Sequence, residues 1–159
     1  RSFHVTGVQT CALPISVKDC IDGQLGPLVG ILTAMKWAKE NLKKCSWIAT
    51  FPCDTPFFSE IIINNFIEES KKKESLILST SSHGRKHNIF GLWSLDLYDK
   101  LKDDLINKKI RKVQDWTKGN KIKNLEFKFE DYDPFFNINT QEDLQHAEKL
   151  IKKIVNENK

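Results

Sequence analysis

The sequence predicts a single α/β domain built on a largely parallel sheet, and three observations carry that expectation. Short apolar runs alternate along the chain with longer segments whose apolar residues recur at helical spacing. Several of those short runs are continuously apolar, as in strands covered on both faces of a parallel sheet. A chain of 159 residues, 40% hydrophobic and 29% charged, has the size and composition of one domain with a core.

The elements follow in order. Val17 to Cys20 reads as the end of a strand. Asp22-Gly23-Gln24-Leu25-Gly26-Pro27 reads as a glycine-rich turn, and Pro27 opens a helix, where its missing N–H costs nothing. Leu28, Ile31, Leu32, Met35, Ala38 and Leu42 share one face of that helix. Trp47 to Phe51 is a short, continuously apolar strand. Ser59 is the expected N-cap of a second helix that buries Ile62, Ile63, Phe66 and Ile67. Ser75 to Thr80 and Asn88 to Trp93 are the next two strands, joined by a polar loop from Ser81 to His87. Leu97 to Ile106 is a helix with Leu97, Leu101 and Leu105 in register, and Val113 to Thr117 is a shorter one. Ile122 to Phe129 alternates like a strand. Thr140 caps the last helix, with Asp143 as the acidic member of a capping box. Leu144, Ala147, Leu150, Ile151 and Ile154 supply its apolar side. The alternation is what argues for an α/β domain.

Composition excludes several classes. No apolar run approaches the roughly 20 residues that span a bilayer, and no signal-peptide pattern is evident, so a soluble, cytoplasmic protein is expected. The four cysteines, Cys11, Cys20, Cys45 and Cys53, form no C-x-x-C pair and no zinc spacing. They read as free, mostly buried thiols of a reducing compartment. Net charge is +4, but the lysines are dispersed in short pairs near expected helix ends. There they complement the helix dipole, which argues against nucleic acid as a partner. The four tryptophans read as packing residues rather than as stacking platforms.

Residues 1–15, RSFHVTGVQTCALPI, do not share the composition of the rest. They contain no lysine and show no periodicity. "VTGVQTCALPI" resembles the conceptual translation of a sequencing adapter fused in frame to a truncated gene. The domain is therefore expected to occupy residues 16–159, with 1–15 set apart as non-native.

The chemistry centres on "FPCDTPFF" at residues 51–58. A parallel strand that stops at Pro52-Cys53-Asp54 delivers Asp54 to the carboxyl edge of the sheet, where ligands bind in α/β folds. Pro56 keeps the segment from continuing as a strand. A carboxylate there suits magnesium shared with phosphate oxygens, since that ion takes only one or two protein carboxylates. The same residue also suits a turn capping Pro56-Phe57-Phe58. Gly26 to Gly30, at a helix N-terminus, suits close approach of an anion. Glu130, Asp131 and Asp133 form an acidic cluster that reads as a solvated loop.

Five segments then occur in one order and at consistent spacing: "GPLVGILTAM", "ATFPCDTPF", "FGLW", "IRKVQDW" and "DPFFNINTQEDL". Together they resemble the molybdenum cofactor guanylyltransferases, from about Val17 to the C-terminus. The resemblance implies a Rossmann-like nucleotidyltransferase fold and a magnesium-dependent transfer of GMP from GTP to the terminal phosphate of molybdopterin. It makes Asp54 the magnesium-binding aspartate and Asn139 a residue of the reaction centre. It places Asp19 and Gly30 at the nucleotide, and Asn137, Arg111, Arg85 and His87 on the pterin side. Proline is commoner in the family where Asn88 stands. The resemblance also implies GTP and molybdopterin as partners, with molybdoenzyme maturation proteins as further ones. The family's first strand and its glycine-rich phosphate loop have no counterpart here, so the chain alone is expected to be inactive or nearly so. A cytidylyl- or sugar-nucleotide transferase of the same superfamily, or a non-catalytic nucleotide- or pterin-binding module, is the alternative.

Overall fold

Pro27 begins the first helix, as its fixed φ and missing N–H favour, with Gly26 before it at φ 79° in a region open to glycine. The computed structural model that shows this describes residues 16–23, 26–130 and 132–157. The first helix, α1, spans Pro27–Asn41 and buries Leu28, Val29, Ile31, Leu32, Met35 and Ala38. Leu42, expected on that face, is instead the C-cap and lies exposed. The expected strand at Val17 to Cys20 is not one. The Cys20 N–H donates to Thr33 Oγ1 of α1 at 3.0 Å, so this segment rests on a helix rather than in the sheet. Gln24 and Leu25 of the expected turn lie outside the described residues.

The strands are β1 Trp47–Thr50, β2 Ile77–Ser82, β3 Arg85–Ser94 and β4 Ile122–Phe127, in the spatial order β1-β3-β2-β4. β3 pairs antiparallel with both β1 and β2, while β2 and β4 are parallel. The sheet is therefore mixed, not mostly parallel: β1, β2 and β4 run one way and β3 runs back between them. The reason is local. The expected polar loop Ser81 to His87 is a tight hairpin, with His83 at φ 48° and Gly84 at φ 75°. Two consecutive positive φ values make a turn whose twist suits antiparallel strands. β1 is also less covered than expected, because Ala49 and Phe51 are exposed.

The other helices are α2 Glu60–Lys71, α3 Tyr98–Ile106, α4 Val113–Lys118 and α5 Gln141–Glu157, with a 3-10 turn at Leu95–Leu97. Ser59 caps α2 by accepting from the Ile61 N–H. Ile62 and Phe66 are buried there, but Ile63 and Ile67, expected beside them, are exposed. The capping box of α5 forms in full. Thr140 Oγ1 accepts from the Asp143 N–H at 3.1 Å, and the Asp143 carboxylate accepts from Asn139 and Thr140. On its apolar side Ala147 is buried, while Leu144 and Ile151 are exposed; Ile154 lies outside the described side chains.

Two clusters fill the core, one on each sheet face. One joins α1, α3 and α4 through Leu28, Leu32, Met35, Leu101, Leu105 and Trp116 to Ile77 and Trp93. The other sets Ile62, Phe66 and Phe135 against Leu78, Phe90, Leu92 and Phe127. Cys20 and Cys45 are half-buried free thiols, as expected, but Cys53 is exposed. Cys11 lies outside the described residues. Among the described residues no helix is long and apolar enough to cross a membrane.

Candidate active site

Strand direction decides what meets at the sheet edge. β1, β2 and β4 end at one edge, where β3 begins. That edge receives Asp54 after β1, the His83-Gly84 turn after β2, and the segment that follows β4. α1 packs on β1 and is linked to it by residues 42–46, so its N-terminus points to the same edge. No acidic residue stands in the first turn of α1.

Asp54 is half-buried, and the Ile138 N–H donates to its backbone oxygen at 2.8 Å. That bond fastens the turn after β1 to the middle of Asn137-Ile138-Asn139. Thr55 Oγ1 donates to the Pro52 carbonyl at 2.8 Å and tightens the same turn. The side chain itself is unspent. Among the described residues, Asp54 Oδ1 is the one buried side-chain polar atom without a hydrogen-bond partner. A buried acceptor left unpaired is costly, and a functional ligand is one explanation for its retention.

A cavity of about 190 Å³ lies beside this turn, walled by Pro52, Arg85, His87, Phe90 and Asn137, with Lys86 and Asn88 also on it. A bulge opens it. Ser79 and Thr80 are neighbours in β2, yet they face Gly91 and His87 of β3, so Asn88, Ile89 and Phe90 stand out of register. Side chains satisfy the freed carbonyls. Thr80 Oγ1 donates to Phe90 O at 3.2 Å, and Thr50 Oγ1 donates to Ile89 O at 2.5 Å. Trp93 Nε1 in turn donates to Thr50 Oγ1 at 2.8 Å.

His87 is fixed in this cavity. Its ring stacks on Phe135 at 3.8 Å with planes 7° apart, and Nε2 bonds Ser82 Oγ at 2.8 Å. Burial pushes its pKa below the ordinary histidine range; Asp133 opposes that shift and Arg85 adds to it. The imidazole is therefore neutral at neutral pH and serves as a hydrogen-bonding group rather than as a cation.

Asp54, Asn137, Asn139, Arg85 and His87 thus share one edge. Asn139 is exposed, and its backbone N–H is used to cap α5. The other expected residues lie near α1. Asp19 is exposed and shares a cavity with Thr33 and Trp37. Gly30 is exposed, and a Cβ there would meet no atom within 4 Å, so packing among the described residues does not require glycine. Arg111 Nη1 donates to Leu105 O at 2.6 Å and Ile110 O at 3.1 Å, closing the end of α3, while its carbonyl lies against Gly26. Pro52, Lys86 and Asn88, not expected as site residues, also line the cavity beside the Asp54 turn, the last two by alternating with Arg85 and His87 along β3. Asp133 Oδ1 accepts from the Phe135 N–H and shapes a turn, while Asp131 lies outside the described residues.

A carboxylate, two asparagines and a cationic strand end thus stand together at one edge of the α/β sheet. A solved structure of molybdopterin-guanine dinucleotide biosynthesis protein A from Archaeoglobus fulgidus shares the fold, with a TM-score of 0.61 and 22% identity over 80% of this chain and 64% of that one. Residues 6–122 match the MobA-like NTP transferase domain, and the chain belongs to that family. It is similar to molybdenum cofactor guanylyltransferase of Rhizobium rhizogenes, 36% identical over 147 residues, covering 89% of this chain and 67% of the relative. The Mesorhizobium japonicum protein of that name is 34% identical, covering 88% and 68%. The Nitrobacter hamburgensis one is 31% identical, covering 84% and 64%. The chain spans about two thirds of the length of these curated relatives. The family match starts at residue 6, within the segment set apart on composition, and residues 1–15 lie outside the described structure.

Proposed function

We propose that this chain carries the metal-binding and pterin-side part of a molybdenum cofactor guanylyltransferase site. In the reaction, an oxygen of the molybdopterin phosphate forms a bond to the α-phosphorus of GTP. The bond from that phosphorus to the α–β bridging oxygen breaks, and pyrophosphate leaves with the electron pair. The observation that supports this reading best is the unpaired, buried Asp54 Oδ1 beside Asn137-Ile138-Asn139.

The donor set fits magnesium. Asp54 offers one hard, unspent carboxylate oxygen, and among the described residues no cluster of three or more metal-ligating side chains competes with it. That is the donor count expected of an ion that keeps waters and phosphate oxygens as its remaining ligands. Bound there, magnesium supplies charge neutralisation at the α-phosphate and the departing pyrophosphate. Asn137 and Asn139 orient the incoming phosphate through amide groups that add no repelling charge. Arg85 and Lys86 draw the anionic tail of the pterin into the cavity beside Pro52, and neutral His87 accepts or donates one hydrogen bond there.

The test is Mg²⁺-dependent GTP binding to the full chain by titration calorimetry. Asp54→Asn removes the charge that holds the ion and is expected to cut that dependence at least about tenfold. A change smaller than about threefold, roughly 0.7 kcal/mol, contradicts the assignment. For turnover, residues 16–159 joined to a family strand and glycine-rich loop are expected to form the guanine dinucleotide, and the chain alone to form little.

A further inference from the structure

The segment from Asp133 to Thr140 carries Asn137 and Asn139 to the Asp54 edge, yet it belongs to no helix or strand. No ladder of backbone bonds fixes its path, so discrete anchors must do so. Two of them hold its far end. The Ile138 N–H donates to the Asp54 backbone oxygen at 2.8 Å, and the Asp143 carboxylate of α5 accepts from the Asn139 and Thr140 N–H groups. The near end turns at Asp133, which accepts from the Phe135 and Phe136 N–H groups, and those bonds are local. The Phe135 side chain, 2% exposed, joins this end to the sheet. Its ring lies flat on the His87 imidazole of β3, 3.8 Å away with planes 7° apart, and meets the Phe90 ring edge-on at 4.8 Å and 86°. The imidazole is itself held, by the Ser82 hydroxyl at Nε2 and by a near-perpendicular contact with Phe90. One contact sets the tilt of the phenyl ring and the other its roll, which an aliphatic side chain of similar bulk would leave free. Phe135 and Ile138 are three residues apart, roughly 10 Å of extended chain, with Asn137 between them. A shift of the ring therefore moves Asn137 along the cavity wall that it shares with His87 and pulls on the Ile138–Asp54 bond.

We propose that Phe135 is a positioning residue: stacked on His87, it sets where Asn137 stands and holds the backbone of the Asp54 turn in the place from which the carboxylate takes a metal ion. The ring acts through Asn137 and Ile138, not by touching a ligand. Its consequence for the metal rests on the reading of Asp54 as the magnesium ligand, while its consequence for the turn rests on the packing alone.

The experiment uses the full chain and reads two quantities. Amide hydrogen exchange follows the Ile138 N–H against the Leu95 N–H, which donates to the Ser46 carbonyl at 2.9 Å at the opposite edge of the sheet. Calorimetry follows Mg²⁺-dependent GTP binding. Phe135→Leu keeps apolar bulk and loses the ring. It is expected to speed Ile138 exchange at least about tenfold more than Leu95 exchange, and to weaken the Mg²⁺ dependence at least about fivefold. Equal acceleration at both amides marks a loss of global stability alone and overturns the proposal. Should Phe135→Leu fail to fold, His87 tests the stack from the other side. His87→Ala is expected to speed Ile138 exchange at least about fivefold relative to Leu95, and His87→Phe, which restores a stacking ring, to return the ratio within about twofold of wild type. A phenylalanine no better than alanine overturns the proposal, because the stack is then not what holds the segment. Where Asp54→Asn lowers the Mg²⁺ dependence and Phe135→Leu does not, the positioning role falls and the metal assignment stands. Where Asp54→Asn leaves that dependence unchanged, the metal assignment falls, and the exchange ratios still decide the role of the ring.

Discussion

Asp104 and Asp54 show how two carboxylates of one chain come to opposite surroundings. Asp104 is 2% exposed, the one charged side chain fully buried among the described residues. It accepts from Lys100 at 3.0 Å, Lys108 at 2.6 Å and Trp116 Nε1 at 2.9 Å. Burial pushes its pKa up, but those three donors outweigh it and hold the carboxyl at about 2. A carboxylate depressed in the folded state contributes stability above its unfolded pKa, near 3.9, and loses it as pH falls through the folded value. The chain is therefore expected to lose on the order of 2 kcal/mol from this residue between about pH 4 and pH 2. Asp104→Asn is expected to lower the urea midpoint at pH 7 and to narrow its gap from wild type below pH 4. A gap that stays constant down to pH 2 contradicts the linkage. Asp54, by contrast, has a buried oxygen with no partner among the described residues, the observation on which its proposed role rests. The place of Asp54 was legible in the sequence, because an apolar run stopped at Pro52-Cys53-Asp54 ends its strand there, although the same pattern suited a turn as well as a ligand. Asp104 was passed over although Leu101, Leu105 and Lys108 sit at helical spacing around it. Its burial follows from Trp116 of α4 closing over α3, a tertiary contact that no local pattern carries.

At the scale of elements, the bulged strand β3 matters most, since it gives the cavity beside Pro52 a wall. Gly91 sits beside the bulge, opposite Thr50 and Ser79. A Cβ there would lie 2.9 Å from the Trp93 ring and 3.2 Å from the Leu78 carbonyl oxygen. The ring cannot swing away cheaply, because it is 1% exposed and its Nε1 is tied to Thr50. Gly91→Ala is expected to cost about 1–3 kcal/mol, read as a lower urea midpoint with an unchanged slope. An alanine variant as stable as wild type would mean that the strand shifts freely and that the cavity walls are not fixed. Helix ends were readable from the chain because their signals are local: proline at the start of α1, Ser59 before α2, and the Thr140–Asp143 box before α5. Strand direction was not. Four short apolar runs look alike whether parallel or antiparallel, and the deciding turn rests on His83 at positive φ, a conformation that histidine adopts only occasionally. The exposed Ile63 and Ile67 fit the helical pattern and still escape burial, because periodicity marks a face without saying whether anything covers it.

Across the whole molecule, the outer edge of β1 is flanked on both sides by uncovered apolar surface among the described residues. On one side lies a cavity of about 510 Å³ bounded by Trp37, Leu42 and Ile48, and on the other one of about 260 Å³ bounded by Phe51, Ile63 and Ile67. Among the described residues β1 pairs with β3 on its inner side only, and Trp47 to Phe51 carries no charge. Edge strands are usually guarded by lysine, bulges or a covering element, and an unguarded apolar one is a template for pairing with another copy. The chain by itself is therefore expected to self-associate, with light-scattering mass rising with concentration. Ala49 is the exposed residue at the centre of the edge, so Ala49→Lys places a charge where a second copy would pair while removing no buried contact. That variant is expected to hold the mass at one chain over the range in which wild type grows, with a melting temperature within a few degrees, since surface changes usually stay within about 0.5 kcal/mol. Association that survives the lysine would locate the sticky surface elsewhere, with the exposed face of α5 at Leu144 and Ile151 the next to test.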